Sequence, residues 1–502
     1  MKYFKKAATA FLAAAIALVS VLSVNPITAE AAGGVVINSV TIQGTNVVVS
    51  ATGAAGSEDG LYHLVASAGC ETAPAGVEVA QSASPASFTA PLNLGQPNSL
   101  IYKKFTVCVK AGGKLTPVSN SMYILNPEAC ATARPARMDN GIKGLFVEFD
   151  SAIEAQGHAT DLGIKQININ VPISKIRVIS VYDHIVQKYN AMGIQVNMIL
   201  LADKAAGPEY ISPLSYKGAT SKSEFFAFNA STPEGLEKVG NAAALIASRY
   251  SNIGYGQVDN FIIGNEVNGW RQWNYLKFSQ NQEFVNEYYN AFRVMYNGIK
   301  AANANANVYT CIDHQWAKPE ASYFMAGKEF LTRLNSAVSA EGNIDWKVAV
   351  HPNNYWLLAP KAWETNNKVT RDQSSAYVTM ANFEILTDFL SLPEMLNPQG
   401  QVRSVKISEL GYVSNKGEDL QAASIAFAFM VASQNSHVDG VIILREADNA
   451  YEIKQGIKCG ICNVNGSPKM GYNFLKNPTD PSIIAQANQI AGMNLQSLIS
   501  PR

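Results

Sequence analysis

Between Val35 and Gly53 the chain reads VVINSVTIQGTNVVVSATG, with apolar and polar positions alternating on either side of a Gly-Thr-Asn turn. Alternation of period two predicts a pair of half-buried strands. Three further runs, LYHLVAS, KKFTVCVK and SMYILN, follow between clusters of Gly, Pro, Ser and Asn. Short strands punctuated in this way predict a β-sandwich of immunoglobulin-like or fibronectin-like type over residues 33–127. Nothing in it looks catalytic. Residues 128–140, which include ARPARMDN, read as a linker.

From Gly141 the pattern changes. Apolar runs occur at GLFVEF (144–149), KQININV (165–171), QVNMILLA (195–202), VDNFIIG (258–264), NVYTCI (307–312), WKVAV (346–350), SVKISE (404–409) and DGVIIL (439–444). Stretches of helical period, such as DHIVQKYNAMG and PEGLEKVGNAAALIASRY, lie between them. Strands alternating with helices predict an α/β fold with a parallel sheet. A doubly wound sheet is the rival, but a count of eight favours a (β/α)₈ barrel over residues 141–482, followed by a tail at 483–502.

Composition narrows the setting. Lys2, Lys5 and Lys6 precede an apolar stretch from Ala7 to Leu22, and Ala29-Glu30-Ala31-Ala32 offers a cleavage site. Residues 1–32 therefore read as a secretory signal peptide, favoured over a membrane anchor by the alanine-rich core and small-residue exit. The expected product is secreted or held at a bacterial cell surface, with no membrane span in the mature chain, and monomeric. The 39 basic and 39 acidic residues cancel, and charged residues make up only 16%. No basic block stands out, which argues against nucleic acid and favours a neutral, hydroxyl-rich partner.

Six cysteines in a chain this long do not form a disulfide scaffold. Cys70, Cys108 and Cys130 leave room for one bridge, and Cys311, in an apolar run, reads as an inert buried thiol. Cys459 and Cys462 form a lone C-x-x-C, better read as a local bridge or two free thiols than as a zinc site. No cofactor is implied.

Active sites of such barrels lie at the C-terminal strand ends. In order, those ends carry Glu148 and Asp150, Asn170, Asp203, Asn265-Glu266, Asp313-His314-Gln315-Trp316, His351 with Asn354-Tyr355-Trp356, Glu409, and Arg445-Glu446. Five of the six tryptophans (Trp270, Trp273, Trp316, Trp356, Trp363) follow the fourth, fifth and sixth strands. Rings at a barrel mouth suit a sugar, with its apolar C–H faces and many hydroxyls. Trp270, Trp316 and Trp356 are assigned to substrate, and the others to packing. Glu148 and Asp150 read as polar groups of the barrel ends, and His158 with Asp161 as part of the first helix.

Glycoside hydrolysis commonly needs two carboxyl groups flanking one bond, and the fourth and seventh strand ends face each other across a mouth. The pairing of Asn265-Glu266 with Glu409 resembles the clan-A retaining glycoside hydrolases, which include many cellulases, mannanases and β-xylosidases. The layout is also similar to that of a group of secreted bacterial proteins known only as a domain of unknown function. The resemblance implies Glu266 as acid/base, Glu409 as nucleophile and Asn265 as a partner of the sugar 2-hydroxyl. It implies a His or Tyr near the nucleophile, met by His351 and Tyr355. At the eighth strand many clan members carry Trp where this chain has Arg445.

An acid needs a raised pKa and a nucleophile a low one. Glu266 is therefore expected in an aromatic setting, and Glu409 among donors such as Tyr355, His351 or Arg445. The remaining substrate-binding candidates are Asn170, His314, His351, Tyr355 and Arg445. A salt bridge from Glu266 to Arg271, or a structural role for Glu409, is the duller reading. A catalytic metal on His314, His351 and Asp313 is disfavoured because metal ligands cluster more tightly. The functional rival is an inactive secreted glycan-binding protein on the same scaffold, since fold alone does not imply activity.

Overall fold

The computed structural model describes residues 34–216 and 222–502; the expected signal segment, residues 1–32, lies outside them. Seven antiparallel strands come first: β1 (Val35–Gln43), β2 (Asn46–Gly53), β3 (Tyr62–Ser67), β4 (Val77–Ser82), β5 (Ser87–Pro91), β6 (Lys104–Ala111) and β7 (Lys114–Tyr123). They form one sheet in the order β1-β2-β5 and a second in the order β4-β3-β6-β7. β4 and β5 carry no apolar run long enough to announce them, and most of β4 is exposed or half-buried. The SMYILN run straddles the end of β7.

Eight parallel strands follow: β8 (Lys143–Leu145), β9 (Gln166–Pro172), β10 (Gln195–Leu201), β11 (Val258–Ile263), β12 (Asn307–Ile312), β13 (Lys347–Val350), β14 (Val405–Leu410) and β15 (Val438–Ile443). Each pairs with the next and β15 pairs back with β8, which closes the barrel and excludes an open doubly wound sheet. These are the eight runs read from the sequence. Outward positions such as Val196, Met198 and Leu200 pack into the main core, beneath helices that include Asp183–Ala191, Pro233–Arg249 and Asn281–Ala302.

The inward positions divide by height. Ile199, Leu201, Ile262, Tyr309, Cys311 and Ala349 make an apolar collar near the mouth. Below it runs a ladder of amides. Asn260 donates to Asn197 at 2.5 Å, Asn197 to Asn168 at 2.9 Å, and Asn168 to the Ser408 carbonyl at 2.6 Å. Lys406 closes the floor against Gln166 (2.8 Å) and Asp439 (3.0 Å). Buried amides are tolerated only when each finds a partner, and a ladder that satisfies them in sequence rigidifies the strands it joins.

The sandwich rests on the barrel's flank. Tyr102 packs against Gly240, where a Cβ would come within 2.7 Å of the ring. Asn297 donates to the Ile101 carbonyl at 2.9 Å, and the buried Arg293 donates to Gly342 (2.6 Å) and Ile124 (3.0 Å). Both belong to the C-terminal half of the Asn281–Ala302 helix, which runs away from the mouth. The segment before β8 is tied to the barrel as well: Arg137 donates to the Asp259 carbonyl (2.9 Å) and to Asn260 (3.0 Å). Among the described residues no helix is long and apolar enough to cross a membrane.

Arg293→Ala strands two buried carbonyls at this junction and should lower stability by about 3 kcal/mol. Urea unfolding followed by tryptophan fluorescence checks this. A change below about 0.5 kcal/mol would mean that the junction is loose.

Candidate active site

Past Ile263 the chain turns sharply to bring a carboxylate back over the barrel. Gly264 has φ +80°, and a Cβ there would lie 2.6 Å from Val267. Glu266 itself has φ +39°. A non-glycine residue in that region carries strain of about 1–3 kcal/mol and persists where its surroundings over-determine it. Here the Gly269 amide donates to the Glu266 carbonyl at 2.7 Å, and the Val267 amide to the Cys311 carbonyl at 2.9 Å. The Glu266 side chain is 17% exposed.

His351, fully buried beyond β13, donates from Nδ1 to Glu266 Oε1 at 2.7 Å. Its Nε2 lies 3.0 Å from Ser408 Oγ and 3.5 Å from Cys311 Sγ. Burial works against charge on this ring, but Cys311, Glu409 and Glu266 outweigh it. Together they raise the imidazole well above its ordinary pKa.

Glu409 comes from a bulge in β14. Ile407 pairs with Val441 and Leu410 with Ile443, so Ser408 and Glu409 together oppose one residue of β15. Bulges re-aim side chains. Ser408 reaches His351, and Glu409 is left half-buried at the mouth. Its carboxyl pKa is raised, chiefly by burial; the charge on His351 opposes this, Glu266 adds to it, and Arg445 opposes it. Glu266 and Glu409 thus sense each other at one end of the barrel.

The expected ring of donors around Glu409 is not there. Tyr355 donates to Glu320 at 3.2 Å. Arg445, which follows a cis Leu444–Arg445 bond, forks between Glu148 (3.1 Å) and Glu452 (2.6 Å). His351 is committed to Glu266. The sequence reading expected these hydrogen-bond donors to surround Glu409; each is engaged by another acid instead.

Asn170 is exposed although its neighbours in β9 are buried, so it faces the open mouth, and Asn265 is half-buried beside Glu266. Neither carboxamide bonds to another described residue. Asp313 is buried and accepts from Asn268 (2.6 Å) and the Gln315 side chain (2.9 Å). Burial pushes its pKa up to about 6, against His314 and with a contribution from Glu266. His314 bonds to the Asn353 carbonyl at 2.8 Å and meets the Tyr377 ring edge-on. Arg271 lies over the Tyr323 ring rather than on Glu266. Glu446 is buried against His158 at 2.9 Å, and Asp150 caps the Ser151–Glu154 helix.

The aromatic assignment needs correction. Trp316 is 1% exposed and packs edge-on to Phe389, so it belongs to the core and not to a substrate surface. Trp363 is buried likewise. Trp270 is half-buried against Phe278. Trp356 alone of the five stands free, 65% exposed and at φ +56°. The exposed large aromatics among the described residues are Trp356, Tyr451, Phe149, Tyr323 and Tyr255. All but Tyr255 sit in segments that follow β13, β15, β8 and β12. Phe149, Tyr323 and Tyr451 were missed because tryptophan alone was counted.

All six cysteines are free thiols, so the bridge allowed among the first three is not formed. Burial pushes Cys459 and Cys462 up to about 12. Among the described residues no three His, Cys, Asp or Glu side chains converge to hold a metal ion.

Several solved structures are similar at low identity. A family 39 glycoside hydrolase from the gut symbiont Bacteroides cellulosilyticus WH2 aligns with a TM-score of 0.47 and 14% identity, over 88% of this chain and 79% of that one. A beta-glucuronidase from an uncultured Clostridium sp. aligns at 0.38 and 12%, over 88% and 68%. A family 1 b-glucosidase from Thermotoga maritima aligns at 0.40 and 12%, over 65% and 85%. Likenesses at that level say nothing of this chain's chemistry. No curated protein matches the chain. A family model does match residues 175–497, from the segment after β9 through the rest of the barrel, and the chain belongs to that family, the family of unknown function DUF5722.

Proposed function

We propose that the protein is an exported glycoside hydrolase that cleaves β-glycosidic bonds in poly- or oligosaccharides by a retaining, two-glutamate double displacement. One observation carries this reading. Two carboxyl groups, from β11 and β14, act on one buried imidazole and on each other at a barrel mouth. Exposed aromatic rings on the surrounding segments supply stacking surfaces for sugar faces, and Asn170 and Asn265 offer amides without protein partners to its hydroxyls. Export rests on the pattern of residues 1–32.

In the first step Glu409 attacks the anomeric carbon, and Glu266 gives its proton to the departing oxygen. Glu266 then takes a proton from water as the glycosyl ester on Glu409 is released. Before substrate arrives, burial favours the protonated form of Glu409. Sugar hydroxyls would give Glu409 the hydrogen bonds that the protein withholds and so favour its ionised, nucleophilic form.

The test is hydrolysis of a panel of β-linked glucans, mannans, xylans and aryl β-glycosides, with the product anomer read by proton NMR. Retained configuration supports the reading; inversion overturns it, and binding without hydrolysis leaves a glycan-binding protein. Glu266→Gln and Glu409→Gln should each lower kcat/KM by about a thousandfold. Since the Glu409 pKa is raised and the nucleophile must be ionised, kcat/KM should fall on acidification with a midpoint above the 4.5 of an ordinary glutamate. A limb at or below that value would contradict the assignment. Trp356→Ala and Tyr451→Ala should raise KM for polysaccharide with stability changed by less than about 0.5 kcal/mol. Trp316→Ala should cost about 3–5 kcal/mol, which thermal or urea unfolding will separate from any effect on substrate.

A further inference from the structure

Beneath Glu266 lies the sulfur of Cys311, which the mechanism above does not use. It is fully buried in the collar. Its Sγ accepts from the Glu266 amide at 3.4 Å and lies 3.5 Å from His351 Nε2. One atom therefore touches both the backbone of Glu266 and the ring bonded to its side chain.

Both contacts address a geometric need. Glu266 occupies left-handed backbone space, and its N–H points inward, where an unpaired amide would be costly. Cys311 meets that donor with its sulfur, and its carbonyl takes the next amide, that of Val267. The imidazole must present Nδ1–H to Glu266, which leaves Nε2 to be satisfied. Ser408 Oγ is one partner there and Cys311 Sγ the second. A large polarizable sulfur can accept from two donors at these longer distances; an aliphatic side chain of the same size can accept from neither.

We propose that Cys311 is a positioning residue for the proton-transfer carboxylate: its sulfur fixes the backbone of Glu266 and the ring of His351 together, so that Oε1 is held by His351 and Oε2 remains for substrate. This inference rests on the hydrolase reading. The charged groups around this cluster are Glu266 on the β11 side, Asp313 and His314 after β12, His351 after β13, Glu409 on β14, and Arg445 and Glu452 after β15. None of them takes over the two contacts of the sulfur.

The experiment compares Cys311→Val, which stays apolar with one more heavy atom and no acceptor, with Cys311→Ser, which keeps an acceptor. The whole chain is studied by kinetics on an aryl β-glycoside and by NMR titration of His351, assigned with His351→Gln. Cys311→Val should lower kcat by roughly tenfold or more with KM within about twofold, and should lower the His351 titration midpoint. Cys311→Ser should recover most of both effects. Packing loss alone would lower stability without moving the His351 titration. Wild-type kcat with an unmoved titration in Cys311→Val overturns the proposal. If the wild type cleaves no glycoside, the hydrolase reading fails separately, and the His351 titration still decides the role of Cys311. Should Cys311→Val not fold, Cys311→Ala takes its place, and wild-type kcat with an unmoved His351 titration in that variant overturns the proposal.

Discussion

A buried imidazole with both nitrogens engaged ties together the ends of four consecutive barrel strands. His351 follows β13 and meets Glu266 beyond β11, Cys311 on β12 and Ser408 on β14. Such a ring is stable away from water only while its partners stay in place. The rest of the mouth conforms to this need: the left-handed turn at Glu266 brings a carboxylate over the ring, and the β14 bulge lets Ser408 reach it while Glu409 is left half-buried at the mouth. Moving any one partner would leave a buried charge or an unmet hydrogen bond.

Support comes from below rather than from the sandwich. Asn168 holds the Ser408 carbonyl and is itself held through Asn197 and Asn260, so the β14 bulge is anchored to the opposite side of the barrel. Barrel interiors are usually filled with branched apolar side chains. An amide ladder gives up some hydrophobic stabilisation for directional contacts that fix strand register. The sandwich docks on helices leading away from the mouth, through Arg293 and Asn297, a position suited to buttressing the barrel rather than to gripping substrate at the mouth.

Much of this was legible in the chain. The barrel strands announce themselves as short apolar runs, and the two glutamates follow from where those runs end. β4 escaped because a strand with little buried surface needs no apolar run, and β5 because its buried face is only Phe88 and Ala90. The tryptophans misled because position after a strand does not say whether a ring turns outward, as Trp356 does, or folds under, as Trp316 does. The amide ladder was written in QININ, where alternate polar residues face inward, but alternation alone does not tell a polar interior from a solvated face. Donors to Glu409 could not be foreseen, since the partners of Arg445 and Tyr355 lie in segments distant in sequence. Cys311 looked inert for the same reason: its neighbours are brought by other strands.

The account stands or falls on Glu409 forming a covalent bond with a sugar. The direct measurement is intact-mass and peptide-map analysis after incubation with activated 2-deoxy-2-fluoro β-glycosides, which slow breakdown of a glycosyl-enzyme. The account predicts one added glycosyl unit, located on Glu409 and absent from Glu409→Gln. Turnover of an ordinary glycoside with no adduct, or an adduct on any other residue, would contradict it.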